Sequence, residues 1–135
     1  MATDSKCTFQ ITGWDEKTYA EIGGGAKLTQ AEVTQAYSGE IEGTSSIEYL
    51  MTYSATGTAS FVGIEQVVGS VAGKSGTFII QHVGSFENDK ATSLWSIIAG
   101  AGTAELANLR GYGSYVAGHN GTADVIFTYN FETVS

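Results

Sequence analysis

VGIEQVVGSVAGKSGTFIIQHVG, residues Val62 to Gly84, is two runs rich in β-branched residues with a glycine-bounded turn between them. That pattern predicts a β-hairpin. Alternate side chains of a strand share a face. A loop at Gly73–Gly76 sets Ala72 opposite Thr77, Val67 opposite His82 and Glu65 opposite Gly84. Glu65, Val67, Val71, Phe78, Ile80 and His82 then share one face, with Glu65 diagonal to His82. An acid and an imidazole meet there on an otherwise apolar surface.

Working outward, the chain keeps the same rhythm. Cys7 to Thr12 alternates apolar and polar, and Gly13-Trp14-Asp15-Glu16 ends that strand. Ala26 to Ser38 forms a second strand whose apolar phase slips, which predicts a bulge near Gln30. After a turn at Gly39–Gly43, Ile47 to Ser54 is the third strand, and Thr56-Gly57 turns the chain into the fourth, Ala59 to Val71. Thr77 to Phe86 and Ala91 to Ile98 are the fifth and sixth, joined at Glu87–Lys90. Ala99 to Gly111 breaks the pattern: Thr103 is a candidate N-cap and Glu105 suits the start of a short helical turn near residues 103–109. Gly113 to Ala117 and Thr122 to Glu132 complete the set, with Asn120-Gly121 favouring a tight hairpin. Ala123, Val125, Phe127, Tyr129 and Phe131 share a face of the last strand. Eight strands in hairpin succession predict an all-β fold, a single antiparallel closed barrel forming one domain over residues 1–135.

Carrying the register across neighbouring hairpins places Val33, Gln35, Tyr37, Ile47, Tyr49, Met51, Tyr53 and Phe61 on the Glu65 face. It also sets Trp95 opposite His82 and Ile97 opposite Ile80. The other face holds Glu48, Thr52, Ser60, Gln66, Gln81 and Ser96, which suit solvent. It also holds Leu50, Val62, Ile64, Val68, Ile79, Val83, Leu94 and Ile98, which do not. An outer surface so apolar predicts either a homo-oligomer or cover by residues 13–25, as a lid or along the side.

Composition narrows the function classes. The 135 residues are 42% apolar and 15% charged, with 18 glycines and no proline, so the chain is globular and its turns rely on Gly, Asn, Asp and Ser. The net charge of -8 with one arginine disfavours nucleic acid and anionic membrane partners. Cys7, the one cysteine, rules out an internal disulfide and a cysteine zinc site. The start MATDSKCTF lacks the layout of a signal peptide and no apolar run is long enough for a membrane helix, so a cytoplasmic protein is expected. Asn120-Gly121-Thr122 matches a glycosylation sequon, which in such a protein is simply a turn. No phosphate loop, Ser-His-Asp arrangement or metal-spaced His cluster is present, so no metal or cofactor is expected.

GEIEG at 39–43, FVGIE at 61–65, GTFIIQHVG at 76–84, GTAEL at 102–106 and LRG at 109–111 occur in this order. With them the chain resembles the bacterial domain-of-unknown-function family numbered 3224 over nearly its whole length. That family is similar to the allene oxide cyclase-like and dirigent-like group, also described as lipocalin-like. The resemblance implies a barrel with a cavity, and often an oligomer, but no reaction. Where the family pattern usually reads Gly-Ser-Gly-Thr-Gly-Glu-Leu, this chain has Ala101 for the serine and Ala104 for the third glycine, so no role for that hydroxyl carries over.

Glu65 and His82 are the candidate catalytic pair, able to move a proton on a bound ligand. The plainer reading is a satisfied buried hydrogen bond that fixes register. Tyr37, Tyr49, Tyr53, Phe61, Phe78 and Trp95 are candidate walls for an apolar or aromatic small molecule, although aromatic residues also simply fill barrels. Arg110 is a candidate clamp for a ligand carboxylate, and a salt bridge or carbonyl cap is its commoner use. Glu40 and Glu42 are too few and too sparsely spaced for a calcium loop. Three functions are thus expected: a small-molecule-binding barrel, an isomerase or cyclase on the same barrel, or a structural homo-oligomer with a plugged lumen.

Overall fold

The computed structural model describes residues 2–118 and 122–132. It contains eight strands: β1 (Thr3–Gly23), β2 (Ala26–Gly39), β3 (Ile41–Tyr53), β4 (Ala59–Val71), β5 (Lys74–Glu87), β6 (Lys90–Ile97), β7 (Leu109–Ala117) and β8 (Thr122–Phe131). Each pairs antiparallel with the next, and β1 pairs with β8, so the sheet closes on itself. One 3-10 turn, Ala104–Leu106, is the helical element expected there, and it buries Leu106 against β5. The turn expected at His119-Asn120-Gly121 lies outside the described residues.

The central hairpin turns more tightly than expected. Val71 pairs with Lys74, so only Ala72 and Gly73 form the loop, both with positive φ (53° and 80°). Two left-handed residues match the twist of a hairpin. The register therefore moves by four residues: Glu65 faces Ile80 rather than Gly84, and His82 faces Gly63 rather than Val67. An even shift preserves faces, so Glu65 and His82 still point inward and remain diagonal neighbours. Gly76 serves another purpose. A Cβ there would lie 2.2 Å from the Thr103 carbonyl oxygen, so glycine lets the 98–103 segment pack against β5.

Two further corrections concern β1 and β2. Gly13–Glu16 does not end β1, which runs on to Gly23 along β2. The bulge expected near Gln30 is absent, and β2 pairs regularly with β3. The irregularities lie in β1 instead, at Ile11/Gly13, Thr18/Ala20 and Glu21/Gly23. Each extra residue bends a strand and resets its alternation. Cys7 and Phe9 face in on odd numbers, whereas Trp14 and Glu16 face in on even ones. Residues 13–23 therefore do not cover the outer wall: they prolong the sheet along β2 beyond β8, which pairs with β1 only from Thr3 to Gln10.

Inside, large rings are set against glycines on the neighbouring strand. Gly63 faces Tyr49, Gly84 faces Phe61, and Gly113 faces both Trp95 and Phe127. A Cβ on Gly63 would sit 2.5 Å from the Tyr49 ring, and one on Gly84 2.5 Å from Phe61. Glycine inside a strand weakens it unless something packs there, and here an aromatic ring does.

Candidate functional site

The barrel has two unlike ends. At the end holding the 3-10 turn, Ile41, Val71, Phe78, Leu106 and Leu109 are fully buried and fill the interior. Above them lies a line of buried polar side chains. Ser93 Oγ is 2.9 Å from His82 Nδ1, and His82 Nε2 is 2.6 Å from Glu65 Oε1. The Tyr37 hydroxyl donates to Glu65 Oε2 at 2.7 Å. Ser93 donates a long bond to the Leu94 carbonyl (3.4 Å), which leaves its oxygen free to accept from an Nδ1–H. One proton is then shared between His82 Nε2 and Glu65 Oε1, as imidazolium with carboxylate or as two neutral partners. Either assignment satisfies both groups in a medium where an unpaired charge would be costly.

Two phenols cap this line. The Tyr49 and Tyr115 hydroxyls are 3.1 Å apart, and both rings meet the His82 ring edge-on at 5.7 and 6.0 Å. Burial pushes the Tyr115 phenol up to about 12 and the Tyr49 phenol well above its usual range, and the Glu65 charge adds to both. The Ser93 side chain acts on Tyr115 in the opposite sense, as does Tyr49. Tyr37 is also held far above the ordinary phenol range, by burial first and Glu65 second. All three therefore remain protonated at neutral pH and available as donors.

Beyond the phenols, toward the opposite end, is a cavity of about 60 Å³. Phe9, Tyr49, Met51, Phe61, Phe86 and Tyr115 form most of its wall, Trp14 closes it on one side, and Gln35 is its one amide. Gln35 is buried, and its Oε1 has no hydrogen-bond partner among the described residues. The same is true of the Oγ of Ser45, which lies directly across the β2–β3 ladder from it. A buried acceptor left unpaired costs about 1–3 kcal/mol, so two side by side are unusual in a core.

Trp14 is half exposed and stacks on Tyr49 (centroids 6.4 Å, 29°). Its indole N–H donates to Glu16 Oε1 at 3.1 Å, while Thr29 and Tyr53 each donate to Glu16 Oε2 at 2.6 Å. Partial burial raises the Glu16 carboxyl, but these bonds and the Lys27 charge outweigh it and hold the group below its usual value. Glu16 thus ties the β1 extension to β2 and β3 and keeps Trp14 over the cavity.

The structure brings most of the sequence-predicted residues inside but spreads them over several levels. Glu65 and His82 meet, yet they lie beneath Tyr49 and Tyr115 rather than in an open lumen. Of the expected aromatic walls, Tyr49 and Phe61 line the cavity. Tyr37 sits on Glu65, Phe78 belongs to the filled end, and Trp95 packs on Phe127 at 5.9 Å. Tyr53 stands at the rim with Glu16. Arg110 opens β7, at the end away from the cavity, where it pairs with Glu132 at 3.1 Å and donates to the Leu109 carbonyl. The sequence reading missed Ser93, Tyr115, Trp14, Glu16 and Phe9. Ser93 was within reach, two residues from Trp95 on the same face; Trp14 and Glu16 were hidden by the bulge. Among the described residues no group of three or more His, Cys, Asp or Glu gathers to hold a metal ion, and no helix is long and apolar enough to cross a membrane.

The family model described as "Protein of unknown function (DUF3224)" matches residues 5–129. A crystal structure of a protein with unknown function from that family, from Shewanella oneidensis MR-1, is similar to this chain throughout. It shares 28% sequence identity, aligns with a TM-score of 0.80, and the match covers 98% of this chain and 100% of that one. No curated protein matches the chain.

Proposed function

The chain belongs to the DUF3224 family, whose description assigns no activity, and from the site alone we propose that it is a binding barrel for a small, neutral, mostly apolar molecule with one hydrogen-bond donor. The observation that carries this reading is Gln35 Oε1, a buried acceptor without a partner on the wall of an aromatic cavity. A ligand hydroxyl or N–H would satisfy it, and the rings would take the apolar remainder. At about 60 Å³ the closed cavity is smaller than the ~150 Å³ that accepts a benzene ring. A ring-sized ligand therefore enters by moving Trp14, the wall residue already half in water. His82, held by Glu65, supports the site from below through its edge-on contacts with the Tyr49 and Tyr115 rings.

Phenol and indole, each a ring with one donor, are suitable probes, and toluene is the control without a donor. In titrations followed by tryptophan fluorescence, phenol or indole should bind more tightly than toluene. Gln35→Leu should erase that preference by roughly tenfold, the scale of one buried hydrogen bond. Equal affinity of Gln35→Leu and wild type for all three probes would count against the reading.

One feature favours a second reading, an isomerase-type enzyme. Tyr49 and Tyr115 border the cavity with their rings against His82, which sets two phenol donors at the ligand and the His82–Glu65 pair directly beneath them. NMR spectroscopy of a bound ligand before and after incubation separates the two, since an isomer keeps its mass but not its spectrum. A ligand recovered unchanged leaves the binding function.

A further inference from the structure

Leu50, Val62, Val83 and Leu94 are direct neighbours across β3, β4, β5 and β6. All face outward and are about half exposed or more, Leu94 at 68%. Ile64, also half exposed, lies diagonal to Val83. The side chains bordering this row are Thr52, Ser60, Ser85 and Thr92 on one side and Gln81 and Ser96 on the other, all uncharged, with Glu48 as the one charge, beside Leu50 and opposite Ile64 at the β3 edge. The outward faces of β4, β5 and β6 carry no ionisable group except at their turns. From that edge on the exterior is charged: Glu32 on β2 faces Glu48, Asp4 and Lys6 lie on β1, and Asp124 on β8.

We propose that this outward face of β4–β6, centred on Val62, Val83 and Leu94, is the surface on which a second copy of the chain docks. The charge distribution selects that occupant. A chain of net charge -8 repels its own copies through its acidic faces, and this neutral face is where two copies approach with the least repulsion. A basic partner would be drawn to the acidic faces instead. An anionic bilayer needs lysines or arginines around the patch, and the strands supply none between their turns. An apolar centre with a polar surround that carries a single charge, Glu48, is the composition of a protein–protein contact. Three strands spaced ~4.8 Å apart and about seven residues long give a projected area of roughly 350 Å², the scale of a concentration-dependent contact rather than the ~800 Å² per partner of a standard interface. A two-fold arrangement pairs the patch with itself, so no second surface is required.

Sedimentation velocity at concentrations up to roughly 100 µM tests this. Wild type should sediment as an oligomer, and Val62→Lys combined with Leu94→Lys should be monomeric with an unchanged β circular-dichroism spectrum. The lysines make the chain less negative, so dissociation could not be attributed to greater net repulsion. Thr18→Lys, on the β1 extension, should leave association unchanged. If the double lysine variant fails to fold, Leu94→Ser should still weaken association several-fold. A monomeric wild type would overturn the proposal, as would an oligomer that persists in the folded double variant or in folded Leu94→Ser.

Discussion

Glu65 and His82 form the most consequential contact in the interior, because without its partner each keeps one buried polar atom unpaired, Glu65 Oε1 or His82 Nε2. Replacing Glu65 alone with Leu leaves an imidazole buried among rings. Such a loss costs about 3–5 kcal/mol where a buried pair is broken. Replacing both with Leu removes the demand of the pair along with the bond and leaves only the Tyr37 and Ser93 hydroxyls without these partners. Urea unfolding should therefore show each single substitution strongly destabilised and the double substitution less so than the sum of the two. Simple additivity would mean that the 2.6 Å contact carries no coupling. The pair was legible in the sequence although its register was not. A two-residue loop one residue earlier, in place of four, moves the pairing by four positions, and an even slip cannot turn a side chain to the other face. Ser93 and Tyr115 complete the polar line, but nothing in residue type distinguishes them from other strand residues. Only closure of the barrel brings β7 to the cavity.

At the level of the element, the β1–β2 hairpin decides whether the cavity is covered. A bulge between Ile11 and Gly13 turns Trp14 and Glu16 inward, and periodicity cannot show a single extra residue when a glycine sits at the break. The Glu16 carboxyl is ordinarily near 4.5 and is held lower in the fold. A depressed acid stabilises the fold above its unfolded value, and that contribution is lost as pH falls through the folded value. Trp14 should thus stay in place from neutral pH down to about pH 4.5 and loosen only in stronger acid. Acrylamide quenching of tryptophan fluorescence across that range measures it. Glu16→Gln should show the loosened state already at pH 7, and equal quenching of variant and wild type there would separate Glu16 from control of the cavity. Because Glu16 is only partly buried and solvent screens it, its effect on overall stability should remain small.

Across the whole molecule, the barrel is held shut by its least local pairing, Thr3–Gln10 with Thr122–Tyr129. Every other seam joins strands that follow one another in the chain, so this one closes against the largest loop entropy. Cys7 reports on it. It is buried, it faces inward, and it pairs with Val125 across the seam. Burial pushes its thiol up to about 12; the Ile41 backbone opposes this, and the Glu65 and Glu40 charges add to it. The thiolate is the reactive species, so at pH 8 Cys7 should resist iodoacetamide in the folded protein and react once the seam opens. In a closed barrel of consecutive hairpins, opening one seam exposes rings from the strands on either side, including Phe9 and Tyr115, which meet edge-on at 4.9 Å. The seam should therefore open only with the whole fold. Alkylation of Cys7 in increasing urea should follow the same transition as tryptophan fluorescence. Alkylation at lower urea would instead show β1 leaving β8 while the remaining strands stay paired.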